Sequence, residues 1–320
     1  MVGRWACGKA ASIAACHAGV VEDGLIAGLR LPSPVVEIDD DRLRAAGVRV
    51  LLKRDDLIHP EVPGNKWRKL KYNVASAREL GFGTLLTFGG AYSNHIRATA
   101  AVGSYCGFGT IGVIRGEEHL PLNSSLQYAV SRGMRLMYVD RTTYRAKASE
   151  AVIGALRREF GDFYLIPEGG SNADAVRGCA ELPAELDASV DVVFCAVGTG
   201  GTLAGVAAGM RPDQLVIGVP VLKGGAFLED DIVALQEQAY GARTGAWRLE
   251  CDYHFGGYAK RTPELGEFID DFEVRHGVRL DWVYEAKMMY ALFDQVARNA
   301  FPRGATIVAL ISGSGEVPEV

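Results

Sequence analysis

Apolar and polar residues along this chain of 320 follow two periods that take turns. Runs that are continuously apolar, or alternate, occur at Val48–Lys53, Thr84–Phe88, Thr110–Ile114, Arg135–Val139, Phe163–Ile166, Asp191–Val197, Leu215–Val219, Asp281–Tyr284 and Thr306–Ile311, and they read as strands. Between most of them apolar residues recur at helical spacing, as at Trp67, Leu70, Val74, Ala77 and Leu80. Strands and helices in alternation predict an α/β fold of parallel sheets with helices on both faces. A hydrophobic content of 48% is enough to fill a large core, and the length allows two lobes.

Three of the strand-to-helix junctions carry chemistry. In Pro63-Gly64-Asn65-Lys66-Trp67-Arg68-Lys69-Leu70 a lysine stands where a helix begins, among amides and a positive dipole end that suit an anionic ligand. An amine held there can form an imine; the plainer reading of Lys66 is one charge on a solvated Lys-Trp-Arg-Lys face. The second junction, Gly89-Gly90-Ala91-Tyr92-Ser93-Asn94-His95, follows the Thr84–Phe88 strand. Ser93 or Asn94 can cap the next helix, or can offer a hydroxyl and an amide to a bound carboxylate. The third, Gly198-Thr199-Gly200-Gly201-Thr202, follows the buried-strand run ending at Val197 and makes a cup for an anion from converging amides and two hydroxyls. It lacks the lysine of a nucleotide-binding loop and the spacing of the dinucleotide fingerprint, so one phosphate is implied and not a pyrophosphate. An imine-forming lysine, a carboxylate-facing turn and a cup for one phosphate together point to pyridoxal phosphate, an electron sink for amino-acid carbanions.

From about Leu31 to Ile311 the chain also resembles the family of 1-aminocyclopropane-1-carboxylate deaminases and D-cysteine desulfhydrases, fold type II pyridoxal enzymes related to tryptophan synthase β. The resemblance is carried by Lys53-Arg54-Asp55-Asp56, Gly64-Asn65-Lys66 with Arg68-Lys69-Leu70, Gly89-Gly90 with Ser93-Asn94-His95, Pro167-Glu168-Gly169-Gly170-Ser171-Asn172, the 198–202 loop, Gly256-Gly257-Tyr258 and Tyr284-Glu285-Ala286-Lys287. It implies a large cofactor-binding domain of residues 1–68 and 172–320, a small mobile domain of 69–171, and a variable extension over 1–30. It implies Lys66 as the internal imine and proton carrier, with Lys69 pairing the phosphate beside Gly198, Thr199, Gly200, Gly201 and Thr202. Asn94 would meet the pyridoxal hydroxyl, the Ser93-Asn94-His95 turn would receive the substrate carboxylate, and Tyr258 and Tyr284 would be the active-site tyrosines. A homodimer is usual in such a family.

Near its end the chain departs from the family pattern. Tyr284-Glu285-Ala286-Lys287 is deaminase-like, whereas Ile311-Ser312-Gly313-Ser314 puts a hydroxyl where the desulfhydrases have one. Glu285 or Ser312 would then partner the pyridine nitrogen; a carboxylate makes the stronger electron sink, and Glu285 could equally be a helix-start acid. The implied activity is a lyase or deaminase that releases ammonia and a keto acid from a small amino acid. A β-replacement transferase of the cysteine synthase kind and a cofactor-binding homologue without turnover are the alternatives.

The net charge of −5, without a basic stripe interleaved with aromatics, speaks against a nucleic-acid partner. Six cysteines form no CxxC pair or disulfide-like spacing, which fits a reducing cytoplasm, and six histidines show no metal-ligand pattern. No apolar run reaches the length of a membrane span. The alanine-rich Ala10–Cys16 stretch is too short for a signal-peptide core, and Glu22 and Asp23 follow it.

Overall fold

The computed structural model of the protein describes residues 23–313. The extension expected over 1–30 therefore lies mostly outside the described residues, as does Ser314. Among the described residues ten strands form two sheets: β1 Val35–Ile38, β2 Arg49–Arg54, β3 Thr84–Gly89, β4 Gly109–Arg115, β5 Met134–Val139, β6 Tyr164–Ile166, β7 Val192–Val197, β8 Leu215–Pro220, β9 Ala246–Leu249 and β10 Thr306–Ile311. The six-stranded sheet has the order β1-β2-β10-β7-β8-β9, and the four-stranded one β5-β4-β3-β6. Every pairing is parallel except β1 with β2. The helices that position the site are α1 Asn65–Glu79, α2 Asn94–Cys106, α3 Ala173–Cys179, α4 Gly201–Gly209, α5 Pro263–His276 and α6 Glu285–Ala297.

The central strands are apolar throughout because both of their faces are covered, and successive residues serve different cores. In β7, Val192 and Phe194 point into a core with α5 and α6, whereas Val193, Cys195 and Val197 point into one with α4. In β10, Ile307, Ala309 and Ile311 join the first core, and Val308 and Leu310 the second. The four-stranded sheet is likewise covered: Leu85 and Ile166 pack with Leu70, Val74 and Ala77 of α1, while Leu86, Phe88, Ile111 and Val113 pack with Tyr144 and Phe163. This two-sided burial aligns the C-terminal ends of the parallel strands, and the three chemical junctions all leave from such ends or from the turn after β2.

One expected strand is absent. Residues 281–284 form a turn, because the Asp281 carboxylate accepts the amides of Val283 at 2.8 Å and Tyr284 at 3.2 Å and draws the backbone into the start of α6. Its apolar content made the segment look extended, but Asp at its head supplies a local hydrogen-bonding alternative to a ladder. Two edge strands, β1 and β9, are four residues long and largely exposed, so they left no strong apolar pattern. Leu80 lies just beyond α1 and is exposed.

Candidate active site

Lys66 occupies the first turn of α1, and the loop that delivers it is fixed from several sides. Gly64 has φ +64°, and a Cβ there would fall 1.2 Å from the Ser312 carbonyl oxygen, so only glycine lets the lysine loop pass against the end of β10. The Gly64 amide donates to the Asp55 carbonyl at 2.8 Å. The Asn65 side chain donates to Thr202 Oγ1 at 2.7 Å, tying the lysine to the third junction. Two residues on, the buried Arg68 guanidinium donates to both carboxylate oxygens of Asp55 at 2.7 and 2.8 Å and to Glu185 at 2.8 and 3.0 Å. Lys53 joins the same cluster at 2.6 Å from Glu185. Burial opposes ionisation of Glu185, yet hydrogen bonds from Arg68 and Lys53 hold its pKa down at about 2.

The amine of Lys66 has a pKa lowered to about 7, first by desolvation and then by the Lys69 ammonium. Lys69 is buried, and desolvation lowers its pKa as well. Its Nζ donates to the Gly169 carbonyl at 3.0 Å and to Ser171 Oγ at 3.1 Å, and a Cβ on Gly201 would lie 3.1 Å from it. Ser171 Oγ and Thr199 Oγ1 are 2.6 Å apart. Gly200 takes φ +80° as the residue before α4, and no side chain caps the helix start, which at Gly201 lies against Ser171 and Lys69. One ammonium, two hydroxyls and a helix N-terminus thus converge, and this donor set matches a singly attached phosphate.

Across the cleft, Ser93 caps α2, its hydroxyl accepting the Ile96 amide at 3.4 Å. Asn94 Oδ1 accepts from Arg97. His95 turns inward: it is 2% exposed, its Nε2 lies 2.8 Å from Thr87 Oγ1, and a Cβ on Gly170 would sit 3.0 Å from its Cε1. Burial, then the charges of Lys66 and Lys69, push its pKa well down, so the ring is neutral. His95 therefore underpins the cleft, and of the three residues in this turn Ser93 and Asn94 retain exposure.

Tyr284 and Tyr258 face one another, with the Tyr284 hydroxyl 3.4 Å from that of Tyr258 and the rings 6.1 Å apart. A Cβ on Gly198 would come within 3.2 Å of the Tyr284 ring, so the tyrosine pair stands beside the phosphate-type cup. Burial, followed by the nearby Tyr258, raises the Tyr284 pKa well above the ordinary range and keeps its proton in place. Glu285 is 1% exposed, and its Oε1 accepts the amides of Ser312 and Gly313, each at 2.8 Å. Burial, and then the neighbouring Asp281 carboxyl, lifts its pKa to about 8.

The chain matches the family model described as "Pyridoxal-phosphate dependent enzyme" over residues 26–313. It belongs to that family. It is 31% identical over 268 residues to a putative 1-aminocyclopropane-1-carboxylate deaminase of Pyrococcus horikoshii, covering 78% of this chain and 80% of that protein. It is 30% identical over 290 residues to a D-cysteine desulfhydrase of Salmonella newport, covering 83% and 87%. A crystal structure described as an ACC deaminase homologue superposes with TM-score 0.78 at 28% identity, covering 95% of each chain. The chain is thus a pyridoxal-phosphate-dependent enzyme of fold type II. Several members of the constellation escaped the sequence reading: Asn65, Asp281 and the Ser171 hydroxyl were assigned no role. Ser171 had a readable signal, since it follows the glycine pair Gly169-Gly170. Among the described residues there is no cluster fit for a metal ion and no helix long and apolar enough to cross a membrane.

Proposed function

We propose that the protein binds pyridoxal 5'-phosphate in this cleft and acts as a lyase or deaminase on a small amino acid, releasing ammonia and a keto acid. The observation that carries the reading is Lys66, an amine with pKa about 7 at the head of α1, set beside a phosphate-type cup that its own neighbour Lys69 completes. When bound, pyridoxal phosphate supplies an aldehyde that condenses with an amine and a ring that draws electron density from the substrate's Cα. Lys66 Nζ would hold the aldehyde and then carry the proton taken from the substrate carbon, a task suited to an amine that is half neutral at physiological pH. Lys69, Ser171, Thr199 and the 198–202 amides would hold the phosphate. Asn94 would meet the pyridoxal hydroxyl, and Ser93 with the first turn of α2 would take the substrate carboxylate, with His95 supporting the turn from beneath. Tyr284, its proton held in place by burial, and Tyr258 would bound the reacting carbon and keep water out. Residues 69–171 are the segment that would close over the cleft, and a homodimer in the cytoplasm is the expected setting.

Lys69 offers a test with two readouts. Lys69→Met removes a charged donor from the cup and a positive neighbour from Lys66. The dissociation constant of pyridoxal phosphate should rise about ten- to a hundredfold, the worth of a charge-assisted hydrogen bond. The Lys66 pKa should move up toward the ordinary lysine value. Unchanged cofactor retention through dialysis counts against the cup.

Elimination of a good leaving group is favoured over opening of a cyclopropane. Glu285 Oε1 already accepts two backbone amides, and with a pKa near 8 the carboxyl is largely neutral at pH 7. It serves as the anchor of the Ser312 segment, which leaves the ring nitrogen to the Ser312 hydroxyl and gives the weaker electron sink. Glu285→Gln keeps an acceptor for both amides and should change turnover by less than about tenfold, while Ser312→Ala costs more. D-Cysteine should be consumed faster than 1-aminocyclopropane-1-carboxylate, read as keto acid formed. The reverse substrate order, or a loss confined to Glu285→Gln, overturns the assignment.

A further inference from the structure

The loop that presents Tyr258 is held in an unusual backbone state. Phe255 and Ala259, neither of them glycine, both take φ +50°, and between them Gly256 and Gly257 take +93° and +117°. Positive φ at side-chain-bearing residues costs on the order of 1–3 kcal/mol each and persists only where the surroundings enforce it. Tyr258 itself is 46% exposed, so its own packing does not enforce it. Local hydrogen bonds within the loop are three: the Gly256 amide donates to His254 Nδ1 at 3.0 Å, the Gly257 amide to the His254 carbonyl at 3.0 Å, and the Lys260 amide to the Gly257 carbonyl at 3.2 Å, and none of them ties the loop to the rest of the fold.

The restraint from outside is Lys287. This side chain is fully buried, and its Nζ donates to the Gly257 carbonyl at 2.8 Å and reaches the Val221 carbonyl, just past β8, at 3.4 Å. Among the described residues it forms no ion pair. A buried ammonium whose hydrogen bonds go only to carbonyl oxygens costs several kcal/mol to desolvate, more than the attraction of the unpaired Asp281 carboxyl returns, and far more than a packed apolar side chain of the same size. Core packing of α6 is therefore better served by methionine or leucine, and what the ammonium adds is a fixed bond from the rigid helix to the summit of the strained loop. Lys287 lies one turn of α6 beyond Tyr284, so one helix end carries one tyrosine and clasps the other.

We propose that Lys287 is a positioning residue: its buried ammonium clamps the 255–259 loop through the Gly257 carbonyl and thereby holds Tyr258 against Tyr284 at the cleft. The proposal rests on the reading of Tyr258 as an active-site residue. Because the clamp is a property of the loop, it can be read without any reaction.

The experiment uses the holoenzyme and the variants Lys287→Met, Lys287→Gln, Tyr258→Phe and the Lys287→Met/Tyr258→Phe double variant. Hydrogen exchange followed by peptide mapping should show faster exchange in Lys287→Met confined to the segment around 255–259, with Lys287→Gln, which keeps an amide donor, in between. With the better-used enantiomer of 3-chloroalanine as substrate, Lys287→Met should lower kcat by on the order of ten- to a hundredfold, as expected when a contacting group is displaced by about an ångström, with bound cofactor unchanged. In the Tyr258→Phe background the same substitution should change kcat by less than about twofold, because residues that act as one unit are not additive. Unaltered exchange in the loop overturns the clamp. So do independent, multiplying losses in the double variant, or full activity of Tyr258→Phe beside a crippled Lys287→Met. Altered loop exchange in a protein that turns over neither chloroalanine supports the clamp and overturns the lyase reading instead.

Discussion

Lys66→Ala is expected to yield a folded protein that binds pyridoxal phosphate only reversibly and has lost at least about a thousandfold in turnover, the scale seen when a covalent-catalysis residue is removed. The lysine is singled out on structural grounds. Lys69 is spent on the Gly169 carbonyl and Ser171, and Lys53 on Glu185 and the Ser33 carbonyl. Lys66 Nζ has no hydrogen-bond partner among the described residues, and its pKa is about 7. Borohydride reduction of the wild-type holoenzyme followed by peptide mapping should place the label on Lys66, and a label elsewhere defeats the assignment. The pH dependence has a definite sign. Only the neutral amine attacks an aldehyde, so attachment to the apoenzyme should be slow below pH 7, half-maximal near 7, and level above it. A half-maximum near 10, the ordinary lysine value, would show that the amine is not desolvated.

The second large effect is on stability. Arg68→Met should destabilise the fold by about 3–5 kcal/mol, because it leaves the buried Asp55 and the half-buried Glu185 beside a single remaining cation, Lys53. Denaturant titration of the apoenzyme measures it, and a loss below about 1 kcal/mol would mean that the cluster contributes as little as an exposed pair. The pH profile separates this from simple cavity formation. Glu185 has its folded pKa depressed to about 2 from 4.5, so its contribution is complete above 4.5 and is lost as pH falls toward 2. That acid-side loss should shrink in Arg68→Met. A double substitution of Arg68 and Glu185 by apolar residues of similar volume should recover part of the stability. Activity should still suffer, since the cluster also fixes the turn that delivers Gly64 and Lys66 to the cleft.

The chain's own sequence determined the parallel α/β architecture and the three junctions that bear the chemistry. The central strands of the sheets are apolar on both faces, and that pattern is a property of consecutive residues. The position of Lys66 at a helix start, the Ser93 cap and the glycine turn before α4 are equally local, for each depends on neighbours within about four residues. What the tertiary structure decided are contacts between distant segments. The lowered pKa of Lys66 needs burial beneath elements that lie far from it along the chain. The cup needed Ser171, 102 residues beyond Lys69, to bring a hydroxyl to its ammonium. Glu285 read as either a ring partner or a helix-start acid, and only the approach of Ser312 and Gly313, 27 and 28 residues on, turned its carboxyl group into a backbone anchor. His95 read as part of a substrate turn and was drawn inward by Thr87. Asp281–Tyr284 went astray for the opposite reason, because a single carboxylate captured the amides that a strand would have offered to a neighbour. Periodicity records which residues are buried, but not which partner each buried polar group finds, and a low-dielectric interior makes that partner decide the charge.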